Sequence, residues 1–457
     1  MADDCGKTGK FRGQWAGHLG FIMAATGSAI GLGNIWKFPY ITGVYGGGAF
    51  VLVYLACVVI VGLPLMLAEL MIGRRAQCNP VGAFQKLHRK GSTWQLVGWL
   101  GVASGFLILS YYSVVAGWAL AYIFKAIEGF TGSADQIVGQ YEILANSAGT
   151  SFMWHSIFMV LCIGIVIGGI QKGIERWSRI LMPTLFFLLL ALMFYGLFGT
   201  DGGTAALKFL FEPDFSKLSA EGVLSALGHA FFTLSLGMGA MLTYGSYMRK
   251  DRSILKDAIT VSFLDTLIAL MAGIVIFSLV FEYGTQPDVG PGLIFATLPV
   301  LFAETGPWIS VPFFVLLSFA ALTSGISLLE VVVSYFIDQR GWKRSTATLM
   351  LGGTIWVFGM LSAVAVWKVP VNILGEDQGF FDFFDLLTTN YMLPLGGLLT
   401  CLFIAWAMKD KDRSEEFGSS GSLYQGLRFV LRYITPVAML IVLLHGLKLL
   451  PFMDYSP

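Results

Sequence analysis

Long stretches without a charged residue dominate this chain. Eleven of them, one interrupted by the single charge of Asp265, lie between charged positions: 13–36, 38–68, 91–124, 143–171, 180–200, 222–248, 258–281, 305–329, 345–367, 386–408 and 433–447. A helix crosses a bilayer core of about 30 Å with roughly 20 apolar residues. Most of the stretches are that long, and Arg432 and Lys448 can reach outward from the ends of the shorter last one. The sequence therefore predicts eleven transmembrane helices.

The composition favours a membrane protein and excludes an ordinary soluble one. Hydrophobic residues make up 56% of the 457 residues and charged residues only 12%, whereas a soluble domain has about 25% charged residues. The formal net charge of +1 gives no basic excess that would bind nucleic acid. The five cysteines are scattered and odd in number, which predicts neither a disulfide framework nor a zinc site. The expected partner is the lipid bilayer, with no obligate protein partner.

The loops predict the orientation in the cell membrane. Most of the 29 Lys and Arg residues fall in alternate loops, and such residues mark the cytoplasmic side. This places the N-terminus in the cytoplasm and, after eleven crossings, the C-terminus outside the cell. The short uncharged run 289–303 contains Gly290, Pro291, Gly292 and Pro299, so it is interpreted as a re-entrant or external hairpin.

Two of the spans are dense in glycine where the middle of the bilayer should lie. The first contains the run Gly27–Asn34, and the sixth contains Ser235–Gly239. Matched breaks five spans apart are typical of a transporter with an inverted repeat and a binding site at the membrane midplane. The alternative is close helix packing through small residues. The free backbone groups of a broken helix suit a zwitterion together with alkali cations.

The repeat divides the chain into four parts. A cytoplasmic N-terminal segment (1–12) precedes the first repeat (13–200, helices 1 to 5). The second repeat (201–408, helices 6 to 10) is followed by a cytoplasmic loop and helix 11 (409–457). The predicted fold class is thus an all-α polytopic membrane protein with eleven helices and a 5+5 inverted repeat, broken in helices 1 and 6.

Three acidic residues lie inside or directly at the ends of spans, and His229 lies in the sixth span; ionisable groups in the membrane are functional candidates. Asp265 is expected to bind a cation, with a structural ion pair as the alternative. Glu69 and Glu330 are nearer to helix ends and are expected to hold neighbouring backbone. His229 is expected to be a bundle histidine, with a proton relay as the alternative. The chain has no P-loop, HExxH or GxSxG motif, so no enzyme is predicted.

Five motifs together resemble the neurotransmitter:sodium symporter family, in particular its bacterial members that transport hydrophobic amino acids. They are Gly27–Pro39, Gly46–Phe50, Gly62–Leu65 with Glu69 and Gly73-Arg74, Phe231–Gly237, and Ser246-Tyr247 with Arg249–Asp251. The likeness covers nearly the whole chain. It implies a symporter that takes up hydrophobic L-amino acids, both aliphatic and aromatic, with sodium by alternating access.

The resemblance also implies two sodium ions and one substrate site. The first sodium would be bound by Ala29, Asn34, Thr233, Asp265 and the substrate carboxylate. The second would be bound by Gly27, Ile30, Ala320, Thr323 and Ser324. The substrate would contact Ala29, Gly31, Leu32, Gly33, Ile108, Tyr112, Phe232, Thr233, Ser235, Met238, Ser324 and Leu328. Gly31 stands where the amine transporters of the family carry an aspartate, which favours an amino acid as substrate.

Two sets of gating residues follow from the same likeness. On the cytoplasmic side they are Arg12, Trp15, Tyr247 and Asp338, and on the outer side Lys37, Asp385, Tyr112 and Phe232. Lys37 replaces the usual arginine, so a point charge replaces a planar fork of donors. Either charged pair could instead be a solvated surface contact of little energy.

The likeness also predicts that transport needs no chloride. Animal relatives have an asparagine at Asp265, a serine at Ala269 and a glutamine at His229, and there a bound chloride offsets the cation charge. A fixed carboxylate at Asp265 would take over that role. Two other functions remain open on the sequence: a proton-coupled transporter of the same shape that uses Asp265, Glu69 or His229, and a ligand-gated channel or sensor.

Overall fold

The computed structural model describes residues 13–284, 293–363, 379–418 and 420–450. These residues contain no β-strand. Arg12 and the N-terminal segment 1–12 lie outside the described residues. The first nine helices are α1 His18–Ala29, α2 Gly33–Val44, α3 Gly48–Ala76, α4 Pro80–Leu87, α5 Gln95–Glu128, α6 Ala134–Asn146, α7 Ala148–Ile167, α8 Ile170–Phe198 and α9 Gly203–Phe211. The others are α10 Ala220–Thr233, α11 Ala240–Gly245, α12 Ile254–Glu282, α13 Leu293–Thr305, α14 Pro307–Arg340, α15 Arg344–Ser362, α16 Phe380–Ala407, α17 Asp410–Phe417 and α18 Ser422–Gly446.

The predicted spans correspond to these helices. Within the described ranges, nine helices are long and apolar enough to cross a membrane, and α1 with α2 form a tenth span that is bent by 51°. The sixth span consists of α10 and α11, which have 14 and 6 residues and are each too short to cross alone. The chain is therefore all-α and crosses the membrane many times, with its first and sixth spans broken.

Both breaks owe their shape to particular residues. Ile30 leaves the helical conformation after α1, with φ −73° and ψ 108°. Between α10 and α11, Gly237 and Gly239 have φ values of 80° and 75°, a region that glycine enters without steric cost. Ser235 has φ 55°, and its hydroxyl donates a hydrogen bond to the carbonyl of Ser28, 2.7 Å away. The two breaks are thus joined directly to each other.

The bundle surrounds these breaks. Helices α5 and α14, the two longest, pack extensively against each other, and α1 lies among α8, α12 and α14. Helix α11 packs on α3. The bundle has two ends, the Trp15 face and the Lys37 face. The Trp15 face carries the start of α1, and the Lys37 face carries α2. The broken segments lie between the two faces.

The ends of two predicted segments require correction. The last span is α18, which begins at Ser422 and not at 433, because two arginines inside it have partners. The Arg432 guanidinium lies 3.8 Å from the centre of the Trp406 ring, and Arg428 pairs with Asp410 at 3.3 Å. Helix α14 similarly continues 11 residues past 329 to Arg340. The described part of the run 289–303 lies in one apolar helix, α13, and residues 289–292, the first part of the predicted hairpin, lie outside the described residues.

One expectation about the cysteines was wrong. Cys57, Cys162 and Cys401 are free thiols, the last two buried in the core. Cys78, by contrast, is disulfide-bonded. Spacing along the chain does not show which cysteines form bridges, because the pairing depends on the fold.

Candidate substrate and cation site

A cavity lies between the two broken helices. Its wall consists of Ser28, Ala29, Gly31, Leu32, Gly33, Ile108, Tyr112, Phe232, Thr233, Ser235, Met238, Ser324, Ser327 and Leu328. The structure therefore brings all the predicted substrate residues to one cavity. Ser28 and Ser327 also line it and were not predicted.

The backbone of the first break forms the polar part of the wall. The N–H of Leu32 donates to the Tyr112 hydroxyl at 3.4 Å, and the N–H of Gly31 donates to the Asn34 side-chain oxygen at 3.1 Å. A Cβ atom on Gly31 would lie 2.7 Å from the Ser324 hydroxyl oxygen and 3.2 Å from the Tyr112 hydroxyl oxygen. A glycine is needed here because any side chain would displace these groups from the cavity.

Apolar side chains form the other part of the wall. Ile108, Met238 and Leu328 are buried and Phe232 is partly exposed. A wall that is polar on one side and apolar on the other suits a ligand with a charged head and a hydrophobic side chain. Met238 is unbranched and flexible, so this part of the cavity can adapt to side chains of different shape.

Asp265 is the centre of a buried oxygen cluster beside the cavity. Its carboxylate accepts hydrogen bonds from the Asn34 amide at 2.8 Å and from the Thr233 hydroxyl at 3.2 Å. All three side chains are buried, and Asp265 is fully inaccessible to solvent. None of the ion pairs among the described residues includes Asp265. A buried carboxylate without a cationic partner is costly, so this cluster suits a bound cation.

A second group of oxygens lies where the end of α1 meets α14. The Ser324 hydroxyl is 3.3 Å from the Ile30 carbonyl. The Thr323 hydroxyl donates to the Ala320 carbonyl at 3.0 Å, and a Cβ atom on Gly27 would lie 3.1 Å from the Cβ of Thr323. The five predicted ligands of the second sodium therefore lie close together, where the end of α1 meets α14. All of them offer oxygen atoms, which hard cations prefer.

The Trp15 face is closed over the cavity. Trp15 is only 4% exposed, its ring N–H donates to the Tyr244 carbonyl at 3.0 Å, and its backbone N–H donates to the Tyr247 carbonyl at 3.2 Å. The Tyr247 hydroxyl donates to Glu330 at 2.6 Å, and Glu330 pairs with Arg344 at 2.7 Å. Arg344 was not predicted, since it lies in the sequence next to a predicted loop.

Asp338 also belongs to the Trp15 face. Its carboxylate accepts hydrogen bonds from the backbone N–H of Asn79 at 2.9 Å and from the Asn79 side chain at 3.2 Å. This contact ties α14 to the start of α4. The predicted partner Arg12 lies outside the described residues.

The Lys37 face has an open vestibule that reaches Phe232. Phe232 lines both this vestibule and the inner cavity, and the Lys37 ammonium lies 5.0 Å from the centre of its ring. The predicted pair of Lys37 with Asp385 is not among the ion pairs of the described residues. Asp385 instead accepts hydrogen bonds from the hydroxyls of Tyr111 and Thr389, each at 3.0 Å.

Glu69 and His229 have different surroundings. The Glu69 carboxylate accepts hydrogen bonds from the backbone N–H of Gly237 at 2.7 Å and of Leu242 at 3.2 Å, so it holds the break of the sixth span. His229 packs against Phe38 and Tyr54, with ring centres 5.9 and 5.5 Å apart. It also lines the vestibule.

Comparisons with known proteins agree with this architecture. The sequence profile described as the sodium:neurotransmitter symporter family matches residues 12–132 and 144–456. The chain is 39% identical to the sodium-dependent transporter YhdH of Bacillus subtilis, over 96% of this chain and 98% of YhdH. It is 31% identical to a sodium-dependent transporter of Haemophilus influenzae, over 96% and 99% of the two chains. The crystal structure of MhsT in complex with L-phenylalanine matches with a TM-score of 0.87 and 45% identity, over 95% of this chain and 100% of MhsT.

Proposed function

The chain belongs to the sodium:neurotransmitter symporter family, and from that premise we propose that it couples the uptake of hydrophobic L-amino acids to the entry of two sodium ions. The single observation that carries this proposal is the cavity between the two broken helices, which joins free backbone groups and buried oxygens to an apolar pocket. A sodium-dependent transporter of this family needs a site for an ion and a site for a solute, and the cavity with the oxygen cluster of Asn34, Thr233 and Asp265 beside it supports both.

The backbone at the break is suited to an amino-acid head group. The positive end of the half-helix that begins near Gly33 would attract the carboxylate, with the Tyr112 hydroxyl beside it. The ammonium would face carbonyl groups at the ends of α1 and α10. The cluster of Asn34, Thr233 and Asp265 would bind the first sodium, and Thr323 and Ser324 with three carbonyls would bind the second.

The closed Trp15 face and the vestibule on the Lys37 face support alternating access. We assign the Trp15 face to the cytoplasm because Lys and Arg residues are concentrated in its loops. On that assignment the N-terminus is cytoplasmic and the C-terminus extracellular, and residues 13–200 and 201–408 are the two inverted repeats. The substrate would enter through the vestibule, pass Phe232 and leave when the contacts of Trp15 with Tyr244 and Tyr247 break.

A hydrophobic amino acid fits this site better than an amine. Gly31 leaves no room for a side-chain carboxylate near Tyr112, so the negative charge opposite the ammonium would come from the substrate itself. The crystallised relative MhsT binds L-phenylalanine, and the apolar wall of Ile108, Met238 and Leu328 suits such a side chain.

Purified protein in proteoliposomes should concentrate L-leucine and L-phenylalanine when a sodium gradient is imposed. A proton gradient without sodium should drive no uptake, because the proposed coupling ions are the two sodium ions. Uptake of labelled substrate above its external concentration would distinguish a symporter from a channel or sensor, which only equilibrates its ligand. Concentrative uptake with protons alone, or competition by glycine or GABA only, would contradict the proposal.

Replacing chloride by gluconate should leave sodium-driven uptake unchanged. Asp265 would provide a fixed negative charge beside the first sodium, and unit charges 4 Å apart interact by about 4 kcal/mol at an effective dielectric of 20. A second anion there would be repelled. A wild-type protein that loses uptake in gluconate, with sodium and membrane potential held constant, would show that Asp265 does not play this role.

A further inference from the structure

Arg432 is a cation inside a membrane span, and none of the ion pairs among the described residues includes it. It lies within α18, which runs from Ser422 to Gly446, and its Nε atom is buried without a hydrogen-bond partner in the described part of the chain. Charged side chains in membrane spans are costly, and they almost always pair with one another or with backbone carbonyls. The guanidinium of Arg432 is therefore available to an anion from outside the chain.

Two aromatic rings hold this guanidinium near the edge of the membrane. It lies 3.8 Å from the centre of the Trp406 ring and 5.7 Å from the centre of the Tyr433 ring. Both aromatic side chains are exposed, and Trp and Tyr are enriched where the hydrocarbon core meets the lipid headgroups. A ring face attracts the cation electrostatically and leaves the N–H donors in the plane of the guanidinium for an acceptor at that depth.

A second arginine lies one turn before Arg432 on the same side of α18. Arg428 pairs with Asp410 at 3.3 Å, but Asp410 also accepts a hydrogen bond from Arg413 at 2.9 Å, so one carboxylate serves two arginines. Lys409, next to Asp410, is exposed and belongs to none of the ion pairs in the described ranges. Like charges four residues apart destabilise a helix, so an anion that contacts both Arg428 and Arg432, the arginine patch, would relieve their repulsion.

The arginine patch lies at the Trp15 face of the bundle and borders the lipid. Helix α17, just before α18, pairs through Glu416 with Arg74 at 2.7 Å. Arg74 also donates to the carbonyl of Arg252, in the loop that follows α11 at this face. On α18, the apolar side chains of Leu423 and Phe429 are exposed close to the patch in sequence. Apolar neighbours of this kind suit an occupant that brings acyl chains as well as an anionic group.

We propose that the arginine patch binds the phosphate of an anionic phospholipid in the leaflet at the Trp15 face. A guanidinium donates two parallel hydrogen bonds to phosphate oxygens, and basic pockets between membrane helices bind anionic lipid headgroups. A zwitterionic lipid fits less well, because the patch repels the positive group of its headgroup. The exposed apolar side chains favour a lipid over a free phosphate ion. This site is separate from the cavity between the broken helices and does not depend on the proposed substrate.

Native mass spectrometry of the purified full chain tests the site by titration with dioleoylphosphatidylglycerol and, separately, with dioleoylphosphatidylcholine. The wild type should bind the phosphatidylglycerol more tightly at its highest-affinity site. Arg432→Gln keeps a long polar side chain without the charge and should weaken that binding on the order of tenfold, the usual effect of losing one charge-assisted hydrogen bond. Arg432→Lys keeps the charge without the planar fork and should weaken it less. Binding of phosphatidylcholine should stay the same in both variants.

Arg340→Gln is the matched control. Arg340 is exposed at the end of α14, two residues after Asp338 of the Trp15 face, and it belongs to none of the ion pairs among the described residues. The same loss of charge at this position should leave the affinity for phosphatidylglycerol within about twofold, since salt screens distant exposed charges. Equal losses in Arg340→Gln and Arg432→Gln would show only a general attraction to positive charge and would overturn the inference.

Three other results would also overturn it. They are unchanged phosphatidylglycerol affinity in Arg432→Gln, a wild type that does not prefer phosphatidylglycerol to phosphatidylcholine, and displacement of the lipid by inorganic phosphate at constant ionic strength. The last result would identify a free anion as the ligand. A thermal unfolding transition in detergent shows that each variant is folded. If Arg432→Gln does not fold, Arg432→Lys and the preference of the wild type decide the question.

Discussion

Asp265→Asn should weaken sodium binding by about 100-fold. The substitution keeps the shape of the side chain and removes its charge from a site that is closed to solvent. Unit charges 4 Å apart interact by about 4 kcal/mol at an effective dielectric of 20, which is nearly three factors of ten because each 1.4 kcal/mol is one factor of ten. The asparagine oxygen can still bind the ion, so we expect about two of these factors to be lost. The measurement is a sodium titration of substrate binding in chloride-free buffer.

Ser262→Ala is a suitable control for this variant. Ser262 is buried on α12, one turn before Asp265, and its hydroxyl contacts only the sulfur of Met66 among the described residues. Its loss should leave sodium affinity within about twofold. The loss of the carboxylate charge leads to a further expectation. Chloride should partly restore sodium binding to Asp265→Asn and should not affect sodium binding to the wild type. Wild-type sodium affinity in the Asp265→Asn protein would rule out Asp265 as the charged ligand.

Local features of the sequence were sufficient to predict the breaks in the first and sixth spans. The effect of a glycine cluster is local, because glycine lowers the helix propensity of its own segment and allows positive φ. The family likeness then supplied residues such as Tyr112 and Ser324, which the fold brings together from spans far apart in sequence. Their ligand roles remain predictions.

Side-chain contacts between different helices were harder to predict. Arg344, which is partly exposed, pairs with the buried Glu330 across the α14–α15 connection, but charged residues had been used to mark the ends of spans. Because span ends were placed at charged residues, the predicted spans for α14 and α18 were too short. An ion pair or an aromatic ring can stabilise a charge inside a helix. Helix spacing could have predicted that Ser327 lines the cavity. It lies three residues after Ser324 and one before Leu328, so all three share one face of α14.

Glu69→Gln should abolish transport and destabilise the protein. The carboxylate binds the N–H groups on both sides of the Gly237–Leu242 segment, which are the free donors of the broken sixth span. A glutamine has one acceptor oxygen, and its NH₂ group would face the second N–H, so one buried donor would lose its partner. Hydrogen bonds to charged groups contribute about 1.5–3 kcal/mol each.

We therefore expect Glu69→Gln to lower the free energy of unfolding by about 2–4 kcal/mol and uptake by at least ~100-fold. Thermal unfolding in detergent measures the first, and sodium-driven uptake the second. Glu304→Gln makes the same substitution at an exposed position of α13 and should change neither. Both effects have one cause, since the groups that Glu69 holds are those that position Phe232, Ser235 and Met238 around the cavity. A stable Glu69→Gln protein with normal uptake would mean that the break keeps its shape without the carboxylate.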